Sequence, residues 1–214
     1  MDCEKKMNSV VRKAESEDIN NLLEICKKSF RKLERWQAPR FLTRDRWKKI
    51  LSSSVAETWV CLVNNKIAGY VTLVMDIISF ENERKQYDKN VIKKVLYKIL
   101  CPKLMLKKLL KKIKLNQSNP VRVHCEKQNG NEPKNCYWID SIAVNPENRR
   151  SGIATILVDK CKERAIQYNM DGIKLGVDSD NLTAQQFYKN YGFYCSSHGF
   201  DSEIFTFNIM KEKK

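Results

Sequence analysis

The chain has 214 residues, of which 42% are hydrophobic and 30% charged, with a formal net charge of +15. That is enough apolar material for the core of one large domain or two small ones. There is no run of about eighteen apolar residues, so no transmembrane helix is expected, and the opening MDCEKKMNSVVRKAE lacks the apolar stretch of a secretory leader. The eight cysteines are scattered and form no CxxC pair. With no secretion signal they read as free thiols of a cytoplasmic protein rather than as a disulfide framework.

Taken in order, Val10 to Ala14 reads as a first strand. The acidic Glu15-Ser16-Glu17-Asp18 suits a helix start. Ile19, Leu22, Leu23, Cys26 and Phe30 then recur at helical spacing. A broken stretch with Arg35, Trp36, Pro39 and Arg40 follows. A second helix is expected from about Thr43, a plausible N-cap, through Trp47, Ile50 and Leu51. Thr58–Val63 and Lys66–Asp76 read as two strands joined by Asn64-Asn65, a two-residue hairpin turn that tolerates positive φ. Gly69, inside the second strand, suggests a bulge or a close backbone approach.

Residues 77–136 form a long connection. Asn90–Leu100 and Leu104–Leu115 each have one apolar and one lysine-rich face and read as two short helices. Ten lysines and no acids lie between Lys89 and Lys114, which is most of the surplus charge. The insert is either a structural cover with solvated lysines or a basic surface for lipid headgroups, nucleic acid or an acidic partner, and a substrate lid is compatible with both.

Residues 137–144 read as a strand ended by Pro146. The turn Arg149-Arg150-Ser151-Gly152-Ile153-Ala154 opens directly into a helix with Ile153, Ile156, Leu157, Cys161 and Ala165 on one face. A strand from Gly172 to Val177 and a helix from Leu182 to Tyr191, stopped by Gly192, come next. Tyr194–Ser197 and Ile204–Ile209 read as closing strands. A glycine-bearing turn feeding a helix aims backbone N–H groups at one point, and the helix dipole adds positive charge there. Arg149 and Arg150 supply two full charges. This is a pyrophosphate cradle, but not a P-loop or a Rossmann fingerprint, since neither glycine pattern is present.

Arg149-x-x-Gly152-x-Ala154 resembles the acyl-coenzyme A signature (Q/R)xxGx(G/A) of the GCN5-related N-acetyltransferases, the GNAT superfamily. Pro146-Glu147 precedes it, and Asn181-x-x-Ala184-x-x-Phe187-Tyr188-x-x-x-Gly192-Phe193 comes after it, as in that family. The resemblance implies one α/β domain over residues 1–214. Its mixed, largely antiparallel sheet would be flanked by helices; the helical insertion at about 77–136 departs from the family, whose compact members have a short turn there. The activity implied is transfer of an acetyl group from acetyl-CoA to a primary amine, with no metal. The alternative is a non-catalytic module of the same fold that binds nucleic acid or an anionic membrane. A homodimer is left open.

The resemblance also implies site residues. The strand 137–144 would be splayed from 172–177 by a bulge, and the backbone of Ile142, Ala143 and Val144 would pair with the pantetheine arm in the gap. Arg149 to Ala154 would hold the pyrophosphate, and Asn181 would touch the coenzyme arm. Tyr188 would protonate the departing thiolate. Asp140 would receive the amine's proton, unless local hydrogen bonds satisfy it. Strand alternation predicts Trp138, Asp140 and Ile142 on one face. Arg35, Trp36, Arg40, Phe41 and Trp138 are weaker substrate-contact candidates. A zinc site from His124, Cys125 and Cys136 fits no standard spacing.

Overall fold

The computed structural model describes residues 8–30, 40–88, 133–199 and 201–209. Seven strands form one sheet: β1 (Ser9–Lys13), β2 (Ala56–Val63), β3 (Lys66–Val74), β4 (Cys136–Val144), β5 (Gly172–Asp178), β6 (Tyr194–His198) and β7 (Ser202–Asn208). Their order is β1-β2-β3-β4-β5-β7-β6, and only the β4–β5 pair is parallel. The helices are α1 (Ile19–Ser29), α2 (Arg40–Leu51), α3 (Ile77–Asp88), α4 (Ile153–Gln167) and α5 (Leu182–Tyr191). This is the mixed, largely antiparallel α/β sheet that the sequence implies. The two lysine-faced segments, 90–100 and 104–115, lie outside the described residues.

The sheet separates two cores. On one face α1, α2 and α3 bury Leu22, Cys26, Trp47 and Phe80 against Val60, Tyr70 and Val74. On the other, α4 and α5 bury Leu157, Cys161 and Tyr188 against Val71, Ile139, Leu175 and Phe205. Each large apolar side chain so buried contributes roughly 1.5–3 kcal/mol. Charge also fixes α4 to the sheet. Arg164 grips the buried Glu57 of β2 through two bonds of 2.8 Å and stacks over Trp59, beside Lys160.

One helix boundary differs from the sequence reading, and one helix lies where that reading has none. α2 begins at Arg40, so Thr43 is not its cap; its buried hydroxyl donates to the Arg40 carbonyl 3.0 Å away. α3 was not expected at all. Asp76 caps it, accepting from the N–H groups of Ile78 and Ser79 at 3.0 Å and from the Ser79 hydroxyl at 2.6 Å. Phe80 then anchors the helix in the core. The insertion therefore starts as a helix packed on the sheet.

The hairpin turn has Asn64 and Asn65 both at positive φ, 50° and 60°, as its sequence implies. Cys61 pairs with Gly69 and Leu62 with Ile67, leaving Ala68 as the extra residue of a β-bulge. A Cβ on Gly69 would stand 2.8 Å from the Ala143 carbonyl oxygen and 3.1 Å from Ile153. Both readings of Gly69, bulge and close approach, hold. The absent side chain lets α4 seat against β3 and β4.

At the entry to α1, Asp18 is buried and accepts from both terminal nitrogens of Arg12, at 2.7 and 2.8 Å, and from the Glu15 N–H at 2.8 Å. The Arg12 hydrogen bond is the main reason its carboxyl is held below the usual 3.8. A group depressed on folding stabilises above its unfolded value and loses that contribution as pH falls through its folded value.

Asp18→Asn is therefore expected to lower Tm at neutral pH, with the gap to wild type closing as melting curves are taken down past the ordinary carboxylate value of 3.8. Gly69→Ala costs about 1–3 kcal/mol in urea unfolding, because the methyl meets a backbone carbonyl that cannot give way cheaply.

Candidate active site

In the β3–β4 ladder, Thr72 pairs with Ser141 and Leu73 with Ile139, so Asp140 is an extra residue in β4. The parallel β4–β5 ladder runs only from Cys136↔Gly172 to Ile139↔Leu175. Past that bulge the two strands part. The backbone of 140–144 on one side and of 176–178 on the other has no partner across the gap. A cleft of about 860 Å³ opens there. An extended chain of matching length can pair with the exposed β4 edge as a missing strand would.

The bulge also corrects the expectation of a shared face. With one residue inserted, Trp138 packs toward α1–α3, whereas Ile142 packs toward α4 and α5. Alternation holds on either side of Asp140 but not across it. Trp138 is not among the residues lining the cleft, and neither is Phe41, which is exposed on α2. Arg40 opens α2 and pairs with Glu24 at 3.6 Å. Arg35 and Trp36 lie outside the described residues.

Beyond β4 the chain makes a 3-10 turn, Pro146–Asn148, and then the basic turn. Arg150 has φ 62° and Gly152 φ 79°. Two left-handed residues in three reverse the chain sharply into α4. A Cβ at Gly152 would meet nothing within 4 Å, so the glycine is required by conformation and leaves its surroundings open to a ligand. The Ser151 hydroxyl donates to the Asn148 carbonyl and ties the turn. Ile153 is buried and Ala154 half-buried, holding the first turn of α4 on the sheet. Pro146 and Arg149 line the end of the cleft, while Arg150 points to solvent as an exposed residue. The unpaired N–H groups of the helix start thus stand at the cleft mouth.

The far wall is β5 with the start of α5. Asn181 caps α5, its Oδ1 accepting from the Ala184 N–H at 3.2 Å, and lines the cleft with Ala184 and Tyr188. Tyr188 is almost fully buried among Phe187, Phe193 and Phe205. Burial pushes its phenol well above the ordinary value, so it carries its proton at neutral pH.

Asp140 sits at the bulge, in the cleft wall. Arg84 of α3 donates to it at 3.2 Å and to Glu81 at 2.7 Å. Asp140 thus lines the cleft and is at the same time a locally bonded carboxylate. Behind it, the Tyr70 hydroxyl is 3.0 Å from the Cys26 sulfur, and burial drives the Tyr70 phenol well up. The structure brings Asp140, Ile142, Ala143, Val144, Arg149, Asn181 and Tyr188 to one cleft. It adds Lys28, Ser29 and Phe30 from the end of α1, which sequence reasoning did not select. The α1 spacing could have placed them at a helix end, but nothing local ties that end to β4. Arg84 was also missed, because its helix was. Of the residues considered for zinc, Cys136 is buried with its thiol on the Pro133 carbonyl at 3.4 Å, and His124 and Cys125 lie outside the described residues.

Against known proteins, the sequence profile described as the acetyltransferase (GNAT) family matches residues 113–193. No curated protein matches. The fold is similar to that of a PaiA N-acetyltransferase from Thermoplasma acidophilum solved with coenzyme A. The TM-score is 0.58 at 12% identity, covering 94% of this chain and 99% of that one. It is also similar to a spermidine N-acetyltransferase SpeG chimera from Vibrio cholerae and hSSAT, with a TM-score of 0.61 at 15% identity, covering 96% and 98%. A third similar structure is the ribosomal-protein-S18-alanine N-acetyltransferase from Escherichia coli, with a TM-score of 0.56 at 11% identity and 94% of both chains covered. At these identities the similarity establishes the fold.

Proposed function

We propose that this chain, an N-acetyltransferase of the GNAT superfamily, moves an acetyl group from acetyl-CoA directly to a primary amine on a small molecule or peptide. The observation that carries the reading is the β4–β5 gap ending at the open first turn of α4. An acyl-CoA has the matching shape: an extended amide-bearing arm with a pyrophosphate at one end. On this reading residues 1–214 form one domain, with 77–136 as an insertion. The free thiols of Cys61, Cys161 and Cys195 accord with a reducing, cytoplasmic compartment. No described helix is long and apolar enough to cross a membrane.

The proposed roles follow from position. The N–H groups of Ser151 to Ala154, with Arg149 and Arg150, hold the pyrophosphate. Ile142 to Val144 pair with the pantetheine amides, and Asn181 contacts the same arm. The amine nitrogen attacks the thioester carbonyl carbon. Backbone N–H at the bulged edge of β4 stabilises the oxygen as it gains charge. The carbon–sulfur bond then breaks, and Tyr188 gives its proton to the departing sulfur. Asp140, oriented by Arg84, takes the proton lost by the amine, directly or through water. The steps use no metal. The acceptor enters from the side of α1 and α3.

The direct test is release of coenzyme A thiol from acetyl-CoA with a panel holding a polyamine, an aminoglycoside, amino acids and peptides. Turnover of at least one amine is expected. If no amine is acetylated, and the protein instead binds anionic vesicles or RNA with a steep salt dependence, the non-catalytic reading replaces this one.

Two substitutions probe the halves of the site. Gly152→Asp places a strained, negative side chain at the cradle and weakens acetyl-CoA binding, read by calorimetry; equal affinities would remove the cradle assignment. Tyr188→Phe leaves coenzyme affinity nearly unchanged and lowers kcat by about 10²–10⁴-fold. Wild-type kcat in that variant would make the tyrosine purely structural.

A further inference from the structure

We propose that Cys195, His198 and Glu203 form a zinc-type metal site on the β6–β7 hairpin. The three ligand atoms lie together: the Cys195 sulfur is 3.7 Å from each His198 ring nitrogen and 3.7 Å from Glu203 Oε2. His198 Nδ1 is 3.6 Å from Glu203 Oε1. With Zn–S of about 2.3 Å, Zn–N and Zn–O of about 2.0–2.2 Å and tetrahedral angles, ligand atoms stand about 3.3–3.7 Å apart. Taking one ligand atom from each residue, all three lie within 4.8 Å of one another, so small side-chain rotations bring them to that spacing.

The backbone is shaped to produce this grouping. Cys195 and His198 are three residues apart, an odd separation that puts side chains on opposite faces of a regular strand. The β6–β7 register shifts between Cys195 and Ser197, so Ser196 is an extra residue and the two return to one face. Across the ladder His198 pairs with Glu203 and Cys195 with Phe205, two positions on, so all three ligands share that face. Cys195 and Glu203 are half-buried, and the exposed His198 closes the group from the solvent side.

The donor set selects the ion. Sulfur, imidazole and carboxylate together suit zinc and disfavour magnesium and calcium, which take oxygen. A thiolate and a carboxylate balance a dication, and the fourth position takes water. A Cys-His-Glu nucleophile is the competing arrangement. That needs the acid behind the base and away from the sulfur, whereas here the carboxylate touches the sulfur as closely as it does the imidazole. None of the three residues lines the cleft, so the inference does not rest on the acetyltransferase reading. The metal would staple the hairpin whose inner strand, β7, pairs with β5 along its whole length.

The test uses the full chain, stripped with a chelator and titrated with Zn²⁺ against a chromophoric competitor, then with Co²⁺. Wild type is expected to bind one more zinc equivalent than Cys195→Ser or His198→Ala, and to gain Tm with zinc as mass action requires. Co²⁺ should give a thiolate-to-metal charge-transfer band in wild type that Cys195→Ser lacks. Glu203→Gln, a milder change that keeps the hairpin's shape, should weaken zinc binding. Coenzyme A affinity should be the same in all variants. Equal zinc stoichiometry in wild type and both ligand-deleting variants, or a cobalt spectrum unaltered by Cys195→Ser, overturns the site.

Discussion

One inserted residue governs the architecture. Asp140 is the extra residue in β4, and the parallel ladder to β5 ends beside it. A bulge adds twist and turns backbone groups away from their partners. Placed at the centre of a seven-stranded sheet, it opens a cleft where an uninterrupted ladder would have left none. Loss of those hydrogen bonds is tolerated because each diverging strand keeps its other neighbour, β3 for β4 and β7 for β5. Both walls stay rigid while the gap between them stays free.

The helices then divide their work by face. α4 and α5 cover one side, bringing the basic turn and Tyr188 to the cleft. α1, α2 and α3 cover the other, bringing Ser29, Phe30 and Arg84. On the proposed reading, coenzyme and acceptor approach from opposite faces and meet at the bulge. On the same reading, the position of α4 matters most for the proposed pyrophosphate cradle. Its seat depends on the missing side chain of Gly69 and on the Arg164 grip on Glu57.

Bulges recur as the device that re-aims side chains in this sheet. Ala68 shifts β3 beside Gly69, Asp140 opens the cleft, and Ser196 gathers Cys195, His198 and Glu203. Each adds one residue to one strand and reverses the parity of the residues beyond it. Side chains that a regular strand would scatter end on one face, and neighbours by alternation are parted.

Local chemistry was legible in the chain itself. Asn64-Asn65 specified its turn, because that depends on φ values the two residues themselves tolerate, while Gly69 and Gly152 marked a close approach and a tight turn by having no side chain. The apolar spacing marked α1 and α4, and the basic turn with its flanking motifs carried the family resemblance that implies the fold class. What the sequence could not fix was parity and partnership. The resemblance implies a bulge that parts 137–144 from 172–177, but which residue is inserted, at Asp140 as at Ser196, leaves no mark in composition, since a bulge exists only relative to the strand beside it. Trp138 and Ile142 were therefore assigned to one face and lie on two. α3 escaped notice because its stability comes from Asp76 capping and from Phe80 reaching a core built by distant residues, rather than from a periodic apolar stripe. Tertiary structure alone decided that Arg84 meets Asp140 and that the end of α1 borders the cleft, because those contacts join segments far apart in the chain.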